Sequence, residues 1–143
     1  ANRPLSLKFK FYNGSVVRIV HAGIAPKMTE KSLEKDIEVV YVRDVDELGK
    51  MIPLVWKDGV LVKGKEGGKS WHEVYDGRFG YVISGHAAQK DGYPKYYNFS
   101  CNIDTGVYDT GILTVQMLST EGKKEKALQF DGVAAKPELS LGY

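Results

Sequence analysis

Residues 71–84 read Trp71-His72-Glu73-Val74-Tyr75-Asp76-Gly77-Arg78-Phe79-Gly80-Tyr81-Val82-Ile83-Ser84. Asp76-Gly77 sits between two runs rich in β-branched and aromatic residues. Asx-Gly is the preferred dipeptide for a two-residue hairpin turn, because both central residues need positive φ. The spacing predicts strands over 71–75 and 79–84, with Tyr75 opposite Arg78, Val74 opposite Phe79 and His72 opposite Tyr81. Residues directly opposite share a face. One face then holds His72, Val74, Phe79, Tyr81 and Ile83 and points inward. The other presents Trp71, Glu73, Tyr75 and Arg78 to the outside.

The same punctuation recurs at Asn13-Gly14, Asp58-Gly59, Asp91-Gly92 and Asp131-Gly132. Before Asn13, Leu5, Leu7, Phe9 and Phe11 alternate with Ser6, Lys8 and Lys10, the pattern of a half-buried strand. A strict two-residue turn there would set Phe9 against Arg18 and mix the faces; either a one-residue bulge restores them or both faces of the pair are covered. Leu54–Lys57 and Val60–Lys63 flank Asp58-Gly59 as a hairpin apolar on both faces, which predicts a central position. Strands are also expected at 15–20, 37–43, 96–103, 112–118 and 126–130. A short helix is expected within 44–52, capped by Asp44 with Glu47 three residues on, and 29–36 reads as a loop or marginal helix.

Strands at this spacing, joined by turns, predict an all-β fold. It is a single-domain antiparallel sandwich or barrel of about nine or ten strands, with at most one or two short helices. One domain spans residues 1–143, with 136–143 as a C-terminal tail.

Composition narrows the function classes. The net charge is +2 with 27% charged residues, which gives no specific nucleic-acid signal. No apolar run is long enough for a transmembrane segment. The single cysteine, Cys101, precludes an internal disulfide and fits a reducing, cytoplasmic compartment, with secretion an open alternative. The chain begins at Ala1, a start compatible with a trimmed methionine, a cleaved signal or a longer parent chain.

Candidate chemistry concentrates after residue 70. Outward Trp71, Glu73, Tyr75 and Arg78, joined by Tyr93, Tyr96 and Asn98, form an aromatic and charged set. Rings stack on the apolar faces of sugars while carboxylate, guanidinium and amide groups meet hydroxyls. The same set suits a protein contact. Alternation over 96–103 places Tyr97, Phe99 and Cys101 in the core. His21, His72 and His86 match no compact metal-ligand spacing; His72 reads as a hydrogen-bonded core histidine and His86 as a strand-end residue. Asp104-Thr105-Gly106 and Asp109-Thr110-Gly111 repeat the aspartic-protease tripeptide, yet lie too close in sequence to meet across a dyad, so they read as turns. Asn13-Gly14-Ser15 and Asn98-Phe99-Ser100 match the N-glycosylation sequon.

The leading expectation is a non-catalytic, lectin-like carbohydrate-binding protein with a glycan or protein partner, no cofactor and no metal. The alternative is a structural, assembly or membrane-surface protein that uses the same aromatics as an interface, with oligomerisation possible. A second alternative is a small hydrolase built on His86 and a carboxylate.

Overall fold

The computed structural model describes residues 4–132. Strands run β1 (Ser6–Lys10), β2 (Val16–Val20), β3 (Asp44–Val45), β4 (Leu54–Lys57), β5 (Val60–Lys63), β6 (Lys69–Ser70), β7 (Tyr81–Ser84), β8 (Lys95–Tyr96), β9 (Ser100–Asn102), β10 (Ile112–Leu118) and β11 (Lys124–Asp131). Three single-turn helices, α1 (Ser32–Lys35), α2 (Trp71–Val74) and α3 (Val107–Thr110), and a 3-10 turn over Ile37–Val40 complete the described residues. The chain is all-β with little helix.

The first hairpin shows how local chemistry sets the register. Gly14, at φ +84°, closes a loop in which Gly14 N donates to Phe11 O and Phe11 N to Ser15 O, each at 3.0 Å. The loop exceeds two residues, so Phe9 faces Val17 and Lys8 faces Arg18. That one-residue slip puts Leu7, Phe9, Val17 and Ile19 on one face, as the apolar pattern requires.

β1 and β2 begin a five-stranded sheet in the order β1-β2-β7-β9-β8. The β2–β7 and β7–β9 ladders are parallel, whereas the hairpin reading expected antiparallel neighbours throughout. Parallel strands need a long connection, and residues 21–80 supply it between β2 and β7. On one face Val17, Ile83 and Cys101 form a core with Phe11, Tyr81, Ile103 and Leu118. The β10–β11 hairpin brings Leu118 to that face. Its Glu121 accepts hydrogen bonds from Tyr12, Asn13 and Ser15 of the first hairpin loop. On the other face Val20 and Val82 join Ile24, Leu33, Val39, Val42, Val45, Trp71 and Tyr75 in a larger core. The remaining sheets are two-stranded, β3–β6, β4–β5 and β10–β11, and no sheet among the described residues closes into a barrel.

Several expected elements differ. Residues 71–75 are not a strand: Trp71, His72 and Tyr75 are buried while Glu73 and Val74 are exposed, a helical and not an alternating spacing. Tyr75 then stitches the following turn, its hydroxyl accepting from Phe79 N at 3.0 Å and donating to Gly80 O at 2.8 Å. The strand expected over 37–43 is replaced by the 3-10 turn at Ile37–Val40, with the buried residues Val39, Val42 and Val45 three apart and not alternating. In place of a helix over 44–52 there is a reversal at Asp46, whose Oδ1 accepts the Leu48 and Lys50 amides. Residues 96–103 split into two strands about a tight turn in which Tyr97 N donates to Ser100 O. That turn leaves Phe99 exposed, not in the core, though it still lies against Gly77. The tail expected over 136–143 lies outside the described residues.

Candidate functional site

The fold disperses the set on which the sugar expectation was built. Trp71 is 1% and Tyr75 7% exposed. The Trp71 indole nitrogen donates to Ala22 O at 3.2 Å, inside the larger core. They are therefore core residues and not members of an outward face. Glu73 is exposed. Arg78 is exposed too, but it is engaged with Pro26 O, Met28 O and Asp76, and its guanidinium lies 4.8 Å from the Phe79 ring centroid. Tyr93, Tyr96 and Asn98 stay on the surface, with Tyr93 65% and Tyr96 42% exposed. Tyr96 donates to Gln116 Oε1 at 2.9 Å and lies under Lys124, whose ammonium is 5.0 Å from the ring centroid.

Two other places gather functional potential. The first is the β4–β5 hairpin. Asp58 (φ +51°) and Gly59 (φ +78°) both adopt the left-handed conformation, and Lys57 faces Val60, so the two-residue turn forms as its sequence prescribes. Leu54, Trp56 and Leu61 project from one face with Trp56 opposite Leu61; Val55, Val60 and Val62 project from the other. A hairpin apolar on both faces was expected to be central. Instead, every residue is exposed except the half-buried Val62, and Trp56 is 75% exposed. Among the described residues no third strand joins it, so both edges keep a row of unpaired backbone groups. At its base Gly64 N donates to Pro53 O at 2.8 Å and closes the ladder, and Lys63 pairs with Asp44 of β3 at 2.7 Å.

The second place is the carboxyl end of the three parallel strands, the edge where open parallel sheets bind their ligands. His21 follows β2, Gly85-His86 follows β7 and Asp104 follows β9. His21 Nε2 lies 3.1 Å from His86 Nδ1, and the backbones are joined by Gly85 N donating to His21 O at 2.9 Å. His86 holds φ +67°, a strained position for a residue with a side chain. Arg43 donates to its carbonyl at 3.2 Å, and the Tyr41 ring meets its imidazole edge-on. Burial, then Arg43 and His21, lowers the His86 pKa against an opposing pull from Asp104. Beside the pair runs an open groove of about 480 Å³ walled by Leu7, Ile19, Ile83, Ile103 and Leu113, with Asp104 at its rim.

Sequence spacing carries no sign that residues 21 and 86 meet, because the parallel β2–β7 ladder brings them together. Among the described residues no group of three or more His, Cys, Asp or Glu is gathered for a metal ion, and no helix is long and apolar enough to cross a membrane. The two Asp-Thr-Gly tripeptides are turns. Asp104 Oδ1 accepts Gly106 N, Thr110 Oγ1 donates to Thr105 O, and Gly106 and Gly111 take positive φ at either end of α3. Comparison with protein-family models, curated proteins and solved structures finds no match to this chain.

Proposed function

We propose that the protein is a structural or assembly component that self-associates by adding a strand of a second copy to the β4–β5 hairpin. The observation that carries this is a two-stranded sheet, exposed and apolar on both faces, whose edges no other strand among the described residues pairs with. An isolated hairpin is marginally stable in water and gains from a covering partner. A lipid bilayer covers apolar side chains but leaves edge amides and carbonyls without partners. A strand from another chain satisfies both. Trp56, the largest and most exposed apolar side chain of the hairpin, is the anchor of the contact.

Sedimentation velocity across a concentration series tests this. Association that strengthens with concentration is expected. Trp56→Lys is expected to weaken it roughly 30-fold, equivalent to about 2 kcal/mol at an anchor residue. A chain that remains monomeric up to about 100 μM, or an association that Trp56→Lys leaves unchanged, overturns the reading.

The exposure of Tyr93 and Tyr96 favours a second reading, saccharide binding at Tyr93, Tyr96 and Asn98. A glycan-array signal that Tyr93→Ala abolishes supports it, and no signal from the wild-type protein removes it.

A further inference from the structure

We propose that His21 and His86 form a two-imidazole site for a divalent first-row transition-metal ion. His21 Nε2 and His86 Nδ1 lie 3.1 Å apart, with the two ring planes tilted by 57°. Two metal–nitrogen bonds of about 2.0–2.1 Å, at angles between square-planar and tetrahedral, hold their nitrogens roughly 2.8–3.4 Å apart. The observed separation falls inside that interval, so the two nitrogens keep their spacing and the rings need only turn toward a common apex to hold an ion. Imidazole donors suit zinc, copper and nickel, and copper(II) binds most strongly among the divalent ions.

Chemical balance is simple. In the metal-free pair one imidazole donates its single N–H to the other's lone pair. On binding, that proton shifts to the outer nitrogen of the same ring. Both inward lone pairs then reach the metal, and neither ring changes charge. The protein supplies two donors and water completes the coordination sphere. Asp104, at the neighbouring strand end, contributes a negative charge that offsets part of the dication.

The backbone holds this arrangement before any ion arrives. Gly85 N to His21 O couples the two histidine-bearing segments directly. Arg43 on the His86 carbonyl, together with Ala87 N donating to Gly85 O at 2.8 Å, keeps His86 in its positive-φ conformation. Maintaining a side-chain residue there costs energy, and the conformation is what aims Nδ1 at His21. His21 is exposed and His86 half-buried, so solvent and ions have access. The site stands apart from the β4–β5 hairpin and does not depend on self-association.

Copper(II) is the probe, added to the whole chain and followed by calorimetry and electron paramagnetic resonance. One equivalent with nitrogen superhyperfine structure from two imidazoles is expected. His21→Ala and His86→Asn are each expected to weaken binding at least about tenfold. Asn tolerates positive φ, so His86→Asn removes the donor while sparing the backbone. Circular dichroism matching the wild type confirms that each variant is folded. Binding that survives both substitutions, coupling to a single nitrogen, or no binding at all overturns the proposal.

Discussion

His72 lies between two rings, stacked on Trp71 at 3.8 Å and on Tyr97 at 4.4 Å between centroids. Its Nδ1 meets Ser100 Oγ at 2.8 Å, and Ser84 Oγ lies 3.4 Å from Nε2. Burial in that stack pushes its pKa down to about 4 from 6.5. A base whose folded pKa is lowered takes up its proton more readily when the chain is unfolded. Stability is therefore complete above about pH 6.5, falls as pH drops through the window from 6.5 to 4, and stops changing on this account below 4. The full window corresponds to about 3 kcal/mol. Urea unfolding at pH 7 and pH 4.5 checks this. His72→Asn keeps a donor or acceptor near Ser100 and is expected to flatten the pH dependence, leaving the smaller slope of the same sign from His86 and from the depressed carboxyl groups of Glu30 and Glu121. An unchanged slope in the variant refutes the assignment. The burial of Cys101 was legible in the sequence, whereas His72 is buried through a helical turn and not through the strand register from which its burial was read. That of Trp71 was not, since a strand and a helical turn assign opposite directions to the same side chain.

Among the elements, four of the five Asx-Gly dipeptides show what such a signal encodes. Asp58-Gly59 makes the strict two-residue hairpin, and Asn13-Gly14 closes a longer one. Asp76-Gly77 and Asp91-Gly92 make turns in which the carboxylate accepts the amide two residues on, with no hairpin around them. The dipeptide specifies local φ; the tertiary surroundings decide whether strands flank it. Conversely, the β10–β11 hairpin turns at Gly122, φ +75°, without an Asx before it. A Cβ there would stand 2.5 Å from the Phe11 ring. Gly122→Ala is therefore expected to destabilise the protein by about 1–3 kcal/mol, through backbone strain and the displaced ring. A lowered urea midpoint checks this, and an unchanged midpoint contradicts it. The β4–β5 hairpin was legible as an element and misjudged as a location. Two apolar faces do not by themselves place a strand pair at the centre of its own chain's fold.

At the scale of the molecule, one sheet separates two cores, and Arg18 anchors the sheet on its larger-core side. Its side chain is 2% exposed, donates to Ser6 Oγ at 3.0 Å and pairs with Glu30 at 2.5 Å, next to the Phe79 ring. The all-β class was readable because alternation and turn chemistry are local. The parallel ladders were not, and with them went the meeting of His21 and His86, since no local pattern records a partner across residues 21–80. The same separation governs how the chain is made. The sheet's central pairing needs β7 and then β9, so β1 and β2 leave the ribosome without their neighbours. At about 5–20 residues per second, they wait on the order of several seconds before residue 102 is synthesised. Throughout that interval the edge of β2 that β7 occupies in the folded sheet is without its partner, an open row of backbone donors and acceptors whose lifetime is set by the rate of translation.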